Sequence, residues 1–272
     1  MKKLILIIFA FFLTGCSHLI FFPEKKDYPN PNLKKYKFKD VYFETSDKVR
    51  LHGWFFKTEN PEGTVVFFHG NAENITTHVN SIFWFVDNRF DVFIFDYRGY
   101  GKSEGRPSLK GVHIDGLSAV KFCVDNLDET GKIILFGQSL GGEIAIYVAA
   151  NYRQKNLIKL LIVDSTFSSY RKLAREKLSS SPITWIFQPL AFFLNDKYSP
   201  VRWIDKVFPI PIIFIHGKKD RVIPFKHSLV LFKKYKGKKH IFIVENAGHI
   251  QGLLDKEVRS KVLNLIRLYI SK

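Results

Sequence analysis

The sequence predicts an α/β fold built on a mostly parallel, doubly wound sheet. Short apolar runs rich in β-branched residues and Phe recur along the chain, and helical stretches separate most of them. The runs lack polar alternation, which indicates strands buried on both faces, as in a parallel sheet. Strands and helices that alternate at this spacing imply right-handed crossovers, with helices on both sides of the sheet.

The composition allows one large folded domain or two small ones. Of 272 residues, 46% are hydrophobic and 15% aromatic, and the chain holds only two Cys. These values exclude a disordered chain, low-complexity material and a disulfide-rich mini-protein. No internal linker is long enough to divide the chain into two domains.

The first residues predict a secretory signal with a lipid attachment site. Two basic residues, Lys2 and Lys3, precede ten apolar residues, 4–13. The last of these begins the tetrapeptide Leu-Thr-Gly-Cys, which ends at Cys16. Ten residues span only about 15 Å as a helix, about half of the hydrocarbon core of a bilayer. The tetrapeptide resembles a bacterial lipobox, which implies signal peptide 1–15, an acylated Cys16 as the mature N-terminus, and membrane association in the cell envelope, on the periplasmic face of the outer membrane in a Gram-negative cell. An ordinary secretory signal with an incidental Cys is the alternative.

Residues 16–40, rich in Pro, Asn and Lys, are interpreted as a tether that leads into the first strand. Residues 41–45 and 49–56 then predict a strand pair joined by a short turn. Further strands are predicted at 64–68, 92–95, 132–136, 160–163, 212–215 and 241–244. Helices are predicted at 75–88, 109–126, 141–152, 228–235 and 256–270. An aromatic insertion at 165–209 stands where an enzyme of this class would build a cap over its site.

Two segments match Gly-x-Ser-x-Gly, and their contexts differ. Ser103 lies in a loop that runs into Arg106-Pro107, whereas Ser139 follows the strand 132–136 and directly precedes a helix. The strand, tight turn and helix lift a serine hydroxyl above the sheet edge and direct the helix N-terminus at a developing oxyanion. We therefore predict Ser139 as the nucleophile and Ser103 as a loop residue.

A serine nucleophile needs a base, and the base needs an acid that orients it. Asp220 and His249 follow two later strands, in the chain order nucleophile, acid, histidine that this architecture uses. They are the predicted acid and base, with Asp164 and Asp196 as alternative acids. His216 lies too early in its loop to serve as the base.

The oxyanion needs two backbone donors. One is predicted at Leu140, the residue after the nucleophile, and the other at Asn71 in the loop 69–74 that follows the strand 64–68. Ala72 is the alternative to Asn71, and an ordinary strand-to-helix turn without a catalytic role is the alternative to both.

Together these motifs resemble those of the α/β-hydrolase superfamily. The matching segments are His69-Gly-Asn-Ala, Asp96-Tyr-Arg-Gly-Tyr-Gly-Lys-Ser-Glu-Gly-Arg-Pro-Ser108, Gly137-Gln-Ser-Leu-Gly-Gly142, His216-Gly-x-x-Asp220 and Ala247-Gly-His249. Similarity is greatest to the serine aminopeptidase-like branch, which includes membrane-associated acyl-protein thioesterases. The resemblance covers about residues 40–270, so that 41–272 forms the hydrolase domain. It implies Ser139, Asp220 and His249 as the catalytic triad. The sequence departs from the usual pattern at Glu73, where a small residue such as Gly is expected.

The expected function is a lipid-anchored serine hydrolase that acts through an acyl-enzyme. Carboxylic esters are the first expected substrate class, thioesters the second and peptides the third. The aromatic insertion fits either an apolar acyl pocket or additional core. No metal or organic cofactor is implied, because there is no Cys/His spacing typical of a metal site. The competing class is a catalytically silent envelope protein that binds a ligand. The oligomeric state is not predicted.

The formal charge of +17 raises nucleic acid as a third class of partner. No nucleic-acid-binding motif accompanies the charge, and a secretory signal argues against cytosolic nucleic acid. Loss of Lys2 and Lys3 with the signal leaves +15, part of it in Lys34, Lys35, Lys37 and Lys39. Solvated surface is the default interpretation of this cluster, and contact with anionic headgroups near a lipidated Cys16 is the alternative. Cys123, the other thiol, is predicted to be buried on the inner face of a helix.

Overall fold

The computed structural model describes residues 20–179 and 182–271. The predicted signal peptide and Cys16 therefore lie outside the described residues. The strands in chain order are β1 (Phe22–Pro23), β2 (Lys39–Glu44), β3 (Arg50–Phe56), β4 (Thr64–Phe68), β5 (Ala72–Glu73), β6 (Asp91–Phe95), β7 (Ile133–Gln138), β8 (Ile158–Asp164), β9 (Ile212–Gly217) and β10 (Lys239–Val244). The α-helices are α1 (Ile75–His78), α2 (Phe83–Val86), α3 (Leu109–Asn126), α4 (Leu140–Asn151), α5 (Tyr170–Ser179), α6 (Pro182–Trp185), α7 (Lys226–Lys234) and α8 (Lys256–Ile270).

The central sheet has eight strands in the order β10-β9-β8-β7-β4-β6-β3-β2. The strands from β10 to β6 run parallel, whereas β2 and β3 form an antiparallel hairpin that adds to β6. Every residue of β4, β6, β7 and β9 is buried. The absence of polar alternation in these strands thus has the expected cause: helices cover both faces.

The core forms two layers, one on each side of the sheet. On one face α3, α4 and α7 supply Val120, Ile144 and Leu231. On the other face α1, α2 and α8 supply Ile75, Phe83 and Ile266. The helices therefore cover both faces of the sheet, which confirms the predicted mostly parallel, doubly wound sheet.

The predicted helix at 75–88 is divided into short pieces. α1 begins after Asn74, whose side chain accepts a hydrogen bond from the N–H of Thr76, and a single 3₁₀ turn at Val79–Ser81 separates α1 from α2. Thr and Val are stiff at χ1 and lower the helix propensity of this stretch. Burial of its aromatic residues, rather than a regular helix, holds the segment on the sheet.

The predicted tether needs a correction over its described part, residues 20–40. Phe21 is buried, and β1 pairs in parallel with β5 in a separate two-stranded sheet. Farther along, Tyr36 stacks on Phe83 with 4.2 Å between the ring centroids. Apolar and aromatic residues within a polar, Lys-rich composition therefore bind this segment to the body of the domain.

The predicted insertion at 165–209 also divides into two parts. α5, α6 and a 3₁₀ segment at Gln188–Phe193 form the cap, beyond the carboxyl edge of the sheet. By contrast, Tyr198, Ile204 and Val207 are buried in the core, where the 3₁₀ turn at Ile204–Val207 packs on α4. The cap is therefore shorter than the sequence indicated.

Cys123 is a buried free thiol, as predicted, and burial raises its pKa well above the ordinary value. In the parts of the chain that the structure describes, no helix is both long and apolar enough to span a bilayer.

Candidate active site

Ser139 lies in the turn between β7 and α4. Its φ of 54° and ψ of −116° fall in a region that residues with a side chain rarely adopt. The turn depends on glycine, since a Cβ at Gly141 would lie 2.0 Å from the carbonyl oxygen of Phe68. The strained backbone raises the hydroxyl above the carboxyl edge of the sheet, which is the geometry that Gly-x-Ser-x-Gly predicted.

The structure brings Ser139, His249 and Asp220 into one hydrogen-bonded chain. His249 Nε2 is 3.0 Å from Ser139 Oγ, and His249 Nδ1 is 2.7 Å from Asp220 Oδ2. The three side chains come from the loops after β7, β9 and β10, all at the carboxyl edge. With Nδ1 donating to the carboxylate, Nε2 is free to accept the serine proton.

Hydrogen bonds hold the Asp220 carboxyl in its ionised form. Burial by itself would raise its pKa, but donors from His216, His249 and the Ile223 N–H outweigh that effect and hold the pKa of Asp220 well below its usual range. Its Oδ1 accepts from the N–H groups of Val222 and Ile223 at 2.8 and 2.9 Å. The carboxylate is therefore fixed and negatively charged beside His249.

Sequence reasoning missed the part played by His216. This residue is fully buried at the end of β9, and its Nε2 is 3.1 Å from Asp220 Oδ2 and 2.9 Å from the Ile223 carbonyl oxygen. Both neighbours are acceptors, so Nε2 carries a hydrogen and donates to them. The signal in the sequence is the motif His-Gly-x-x-Asp, which places a histidine four residues before the acid and so within reach of its carboxylate.

The two predicted oxyanion donors both lie close to Ser139. Leu140 begins α4, so its N–H has no acceptor within the helix. A Cβ added at Gly70 would lie only 3.8 Å from the Cβ of Ser139, so the loop after β4 passes directly beside the serine. Asn71 and Leu140 line the same cavity as Ser139.

The N-terminal segment fixes the side chain of Asn71. Its Nδ2 donates to the carbonyl oxygen of Ile20 at 2.5 Å, and its Oδ1 accepts from the Phe22 N–H and from the hydroxyl of Tyr100. Nearby, Glu73 has a φ of 61°, in the left-handed region that favours glycine. This conformation gives a physical reason for the small residue expected at that position; here the loop keeps the turn with a glutamate.

An apolar cavity of about 710 Å³ opens beside Ser139. Its walls come from the cap, from the loop after β9 and from the N-terminal segment, and they include Phe167, Leu173, Leu190 and Ile20. Lys177 is the charged residue among the described residues that line it, and no carboxylate does so. The cavity suits an acyl chain better than a charged group.

The alternative candidates are engaged elsewhere. Asp164 is fully buried and accepts hydrogen bonds from Gln138 and Ser165, and burial raises its pKa. Asp196 accepts from Ser169 inside the cap. Ser103 is buried in its loop, donating to the Asp96 carbonyl oxygen and accepting from the N–H of His52. Over residues 20–179 and 182–271, no cluster of three His, Cys, Asp or Glu residues could hold a metal ion.

Comparisons with known proteins agree on the family of this chain. A model of the serine aminopeptidase family S33 matches residues 59–202. The chain is 33% identical to the uncharacterized protein YfhR of Escherichia coli K12, over 94% of this chain and 90% of that protein. It is 30% identical to the protein bem46 of Schizosaccharomyces pombe, over 78% of this chain and 71% of the relative.

Among solved structures, the fold is similar to that of the esterase Pf2001 of Pyrococcus furiosus. The TM-score is 0.75 at 19% sequence identity, and the match covers 92% of this chain and 98% of the esterase. Identity at this level supports the shared fold.

Proposed function

Because the chain belongs to the serine aminopeptidase family of the α/β-hydrolase superfamily, we propose that it is a serine hydrolase of carboxylic esters. Thioesters of acylated molecules are the second proposed substrate class. One observation carries the proposal: Ser139, His249 and Asp220 form a hydrogen-bonded chain at 3.0 and 2.7 Å that opens on an apolar cavity. Fold alone would not support an activity, because function depends on the site.

In this proposal His249 removes the proton of Ser139 as the oxygen attacks the substrate carbonyl carbon. The N–H groups of Leu140 and Asn71 donate to the oxyanion, and Asp220 keeps His249 oriented and stabilises its positive charge. The protonated His249 then gives its proton to the leaving alcohol or thiol. Water, activated by His249, releases the acyl group and restores Ser139.

The cavity lining favours an ester over a peptide with a free N-terminus. An aminopeptidase has to stabilise the positive charge of the substrate's α-amino group, for which a carboxylate is the ordinary partner. Among the described residues that line the cavity there is no Asp or Glu, whereas the apolar residues of the cap are well suited to an acyl chain. The similarity in fold to an esterase agrees with this preference.

Lipid anchoring at Cys16 and residence in the cell envelope are part of the same proposal. Their support is the lipobox-like Leu-Thr-Gly-Cys after a short apolar run. Labelled palmitate should enter the wild-type protein in cells and should not enter Cys16→Ser. Incorporation into both proteins would contradict the anchor.

Activity-based labelling tests the proposed chemistry. A fluorophosphonate probe should label the wild-type protein and fail to label Ser139→Ala, because only an activated serine attacks the probe. Ser103→Ala is the matched control, since it removes the serine of the other Gly-x-Ser-x-Gly segment. A folded wild-type protein without labelling would favour the catalytically silent binding protein. Nitrophenyl esters and thioesters of graded chain length would then rank the substrate classes.

A further inference from the structure

The cap presents an unusual number of large apolar side chains to solvent. Ile183 is 81% exposed, Ile186 65% and Trp185 61%. Phe192 and Phe193 are also mostly exposed, and they line an open groove on the outer side of the cap together with Trp185 and Ile186. A patch of this kind marks an interaction surface rather than ordinary solvated protein.

Basic side chains flank this apolar patch. Arg171, Lys172 and Arg175 project from α5 into the same groove. The two carboxylates of the groove are used within the protein: Glu176 is 2.8 Å from His227 Nε2, and Asp196 accepts from Ser169. In the part of the chain that the structure describes, Lys172 and Arg175 form no ion pair. This outer side of the cap is therefore both apolar and cationic, a combination that suits an anionic lipid surface.

The mouth of the active-site cavity adjoins this face. Phe187 lines the cavity, is partly exposed, and follows Ile186 of the groove directly in the chain. Phe22 and Val222 also line the cavity and are about half exposed. Apolar surface thus continues from the outside of the cap into the pocket beside Ser139.

The N-terminal segment supplies an independent argument. Ile20 lines the cavity and stands four residues after Cys16. Since an extended chain spans at most about 3.5 Å per residue, a lipid on Cys16 would hold the cavity within about 14 Å of its attachment point. An anchor so close leaves the cavity beside the membrane.

We propose that the cap face, formed by Arg171, Lys172, Arg175, Trp185, Ile186, Phe192 and Phe193, docks on an anionic phospholipid bilayer. The docked cap directs the cavity mouth at the membrane, so that the enzyme takes acyl chains from esters that reside in the bilayer. This inference rests on the proposed hydrolase function for its substrate, but the docking itself does not require catalysis. One acyl anchor with a second, basic and apolar contact also holds a protein on a bilayer more firmly than the anchor alone.

Trp185 offers a direct test with the full lipoprotein. The protein is purified from membranes in detergent and reconstituted in vesicles of phosphatidylcholine, or of phosphatidylcholine and phosphatidylglycerol in equal parts, with acyl chains brominated as fluorescence quenchers. We expect the brominated lipids to quench the wild-type fluorescence, and to quench it more strongly when phosphatidylglycerol is present. The quenched part of the fluorescence should be missing in Trp185→Phe. Fluorescence of Trp185 that is unquenched in both vesicles would overturn the proposal and point to a protein partner or a second copy of the chain on the cap.

A rate measurement separates docking from catalysis. Ile186→Gln with Phe192→Gln should lower hydrolysis of a long-chain ester embedded in anionic vesicles about tenfold, because two exposed apolar anchors are lost. Hydrolysis of a short water-soluble ester should be unchanged. Leu268→Gln is the matched control: Leu268 is 48% exposed on α8, next to Arg267, which binds Glu62 at the opposite edge of the sheet.

Equal loss on both esters, or no loss on either, would contradict membrane docking. Fluorophosphonate labelling in detergent distinguishes the two proposals. Labelling of Ser139 without quenching of Trp185 leaves the hydrolase proposal intact and removes the docking. Quenching of Trp185 without labelling of Ser139 would keep the docking and contradict the hydrolase proposal.

Discussion

The carboxylate of Asp220 accepts hydrogen bonds from two backbone N–H groups and two histidine rings. Oδ1 receives both backbone donors, and Oδ2 receives His249 Nδ1 at 2.7 Å and His216 Nε2 at 3.1 Å. On its other side, His216 Nδ1 is 2.7 Å from the hydroxyl of Ser228, which donates to it. Ser228 and His216 thus form a buried support that aims Asp220 at His249.

We predict that His216→Leu lowers kcat about tenfold with little change in KM, because one hydrogen bond to a charged carboxylate is lost. His216→Gln should recover most of the rate, since its amide nitrogen can occupy the position of Nε2 and donate to Asp220. Ester hydrolysis by the two variants checks this expectation.

Thermal unfolding of both variants is the control. A glutamine variant that is stable and folded but as slow as the leucine variant would show that His216 does not position Asp220 through this hydrogen bond.

The sequence predicts that the other candidate residues lie together, because their positions follow from topology. Ser139, Asp220 and His249 each follow a strand, and the carboxyl ends of parallel strands meet at one edge of the sheet. His216 was harder to predict, because its part depends on a buried side-chain orientation rather than on chain order. The contacts of Asn71 were hard to predict for a similar reason, because its side chain hydrogen-bonds to residues far away in the sequence.

At the scale of elements, Arg98 joins three parts of the fold. It donates through Nε and its backbone N–H to the two oxygens of Asp115 in α3, both at 2.9 Å, and through both terminal nitrogens to Asp47 in the turn between β2 and β3. Burial raises the pKa of Asp115 to about 6 even though Arg98 lowers it, whereas the hydrogen bond from Arg98 lowers the pKa of Asp47 to about 2. The Asp-Tyr-Arg-Gly motif therefore serves the scaffold through its arginine.

We predict that Arg98→Met lowers the free energy of unfolding by about 3–5 kcal/mol at pH 8, because it leaves Asp115 buried and unpaired. The folded-state pKa of Asp115 lies above its unfolded value of about 3.9, so its contribution to stability falls as pH rises between the two values. Without Arg98 the pKa of Asp115 in the folded state rises further, so this loss of stability extends to higher pH.

Urea unfolding at pH 5 and pH 8 checks the sign of this effect. The stability deficit of Arg98→Met relative to wild type should be smaller at pH 5, where Asp115 is protonated in the variant. A deficit that is equal at both values, or larger at pH 5, would contradict the assignment.

The sequence predicts best the elements whose own residues carry a regular pattern of apolar positions. The strand Thr64–Phe68 and the helices Leu109–Asn126 and Lys256–Ile270 have the predicted bounds. The segment 20–40 and the second half of the insertion were harder, because their few aromatic residues are buried by distant partners. Composition alone does not show such long-range packing.

For the whole molecule, the two cysteines report on separate properties. Cys123 is buried in the core, so a thiol reagent reaches it when the domain opens. Cys16, if it carries the proposed lipid on sulfur, has no free thiol.

We therefore predict about one reactive thiol per chain in the denatured protein isolated from membranes, although the sequence contains two Cys. In native buffer that thiol should react slowly, because burial of Cys123 keeps it from the reagent and raises its pKa. Colorimetric thiol counting with and without guanidinium measures both values. Two thiols in the denatured protein would contradict lipidation, and fast reaction in native buffer would contradict the buried Cys123.

The pairing of β1 with β5 sets a practical limit on how far the chain can be shortened. A truncation at residue 41, where the composition places the domain boundary, would remove Ile20 and Phe22 from the cavity wall. It would also deprive the Asn71 side chain of two hydrogen-bond partners. We therefore expect that a shortened chain keeps the cavity wall and the contacts of Asn71 only if it retains the segment 20–40.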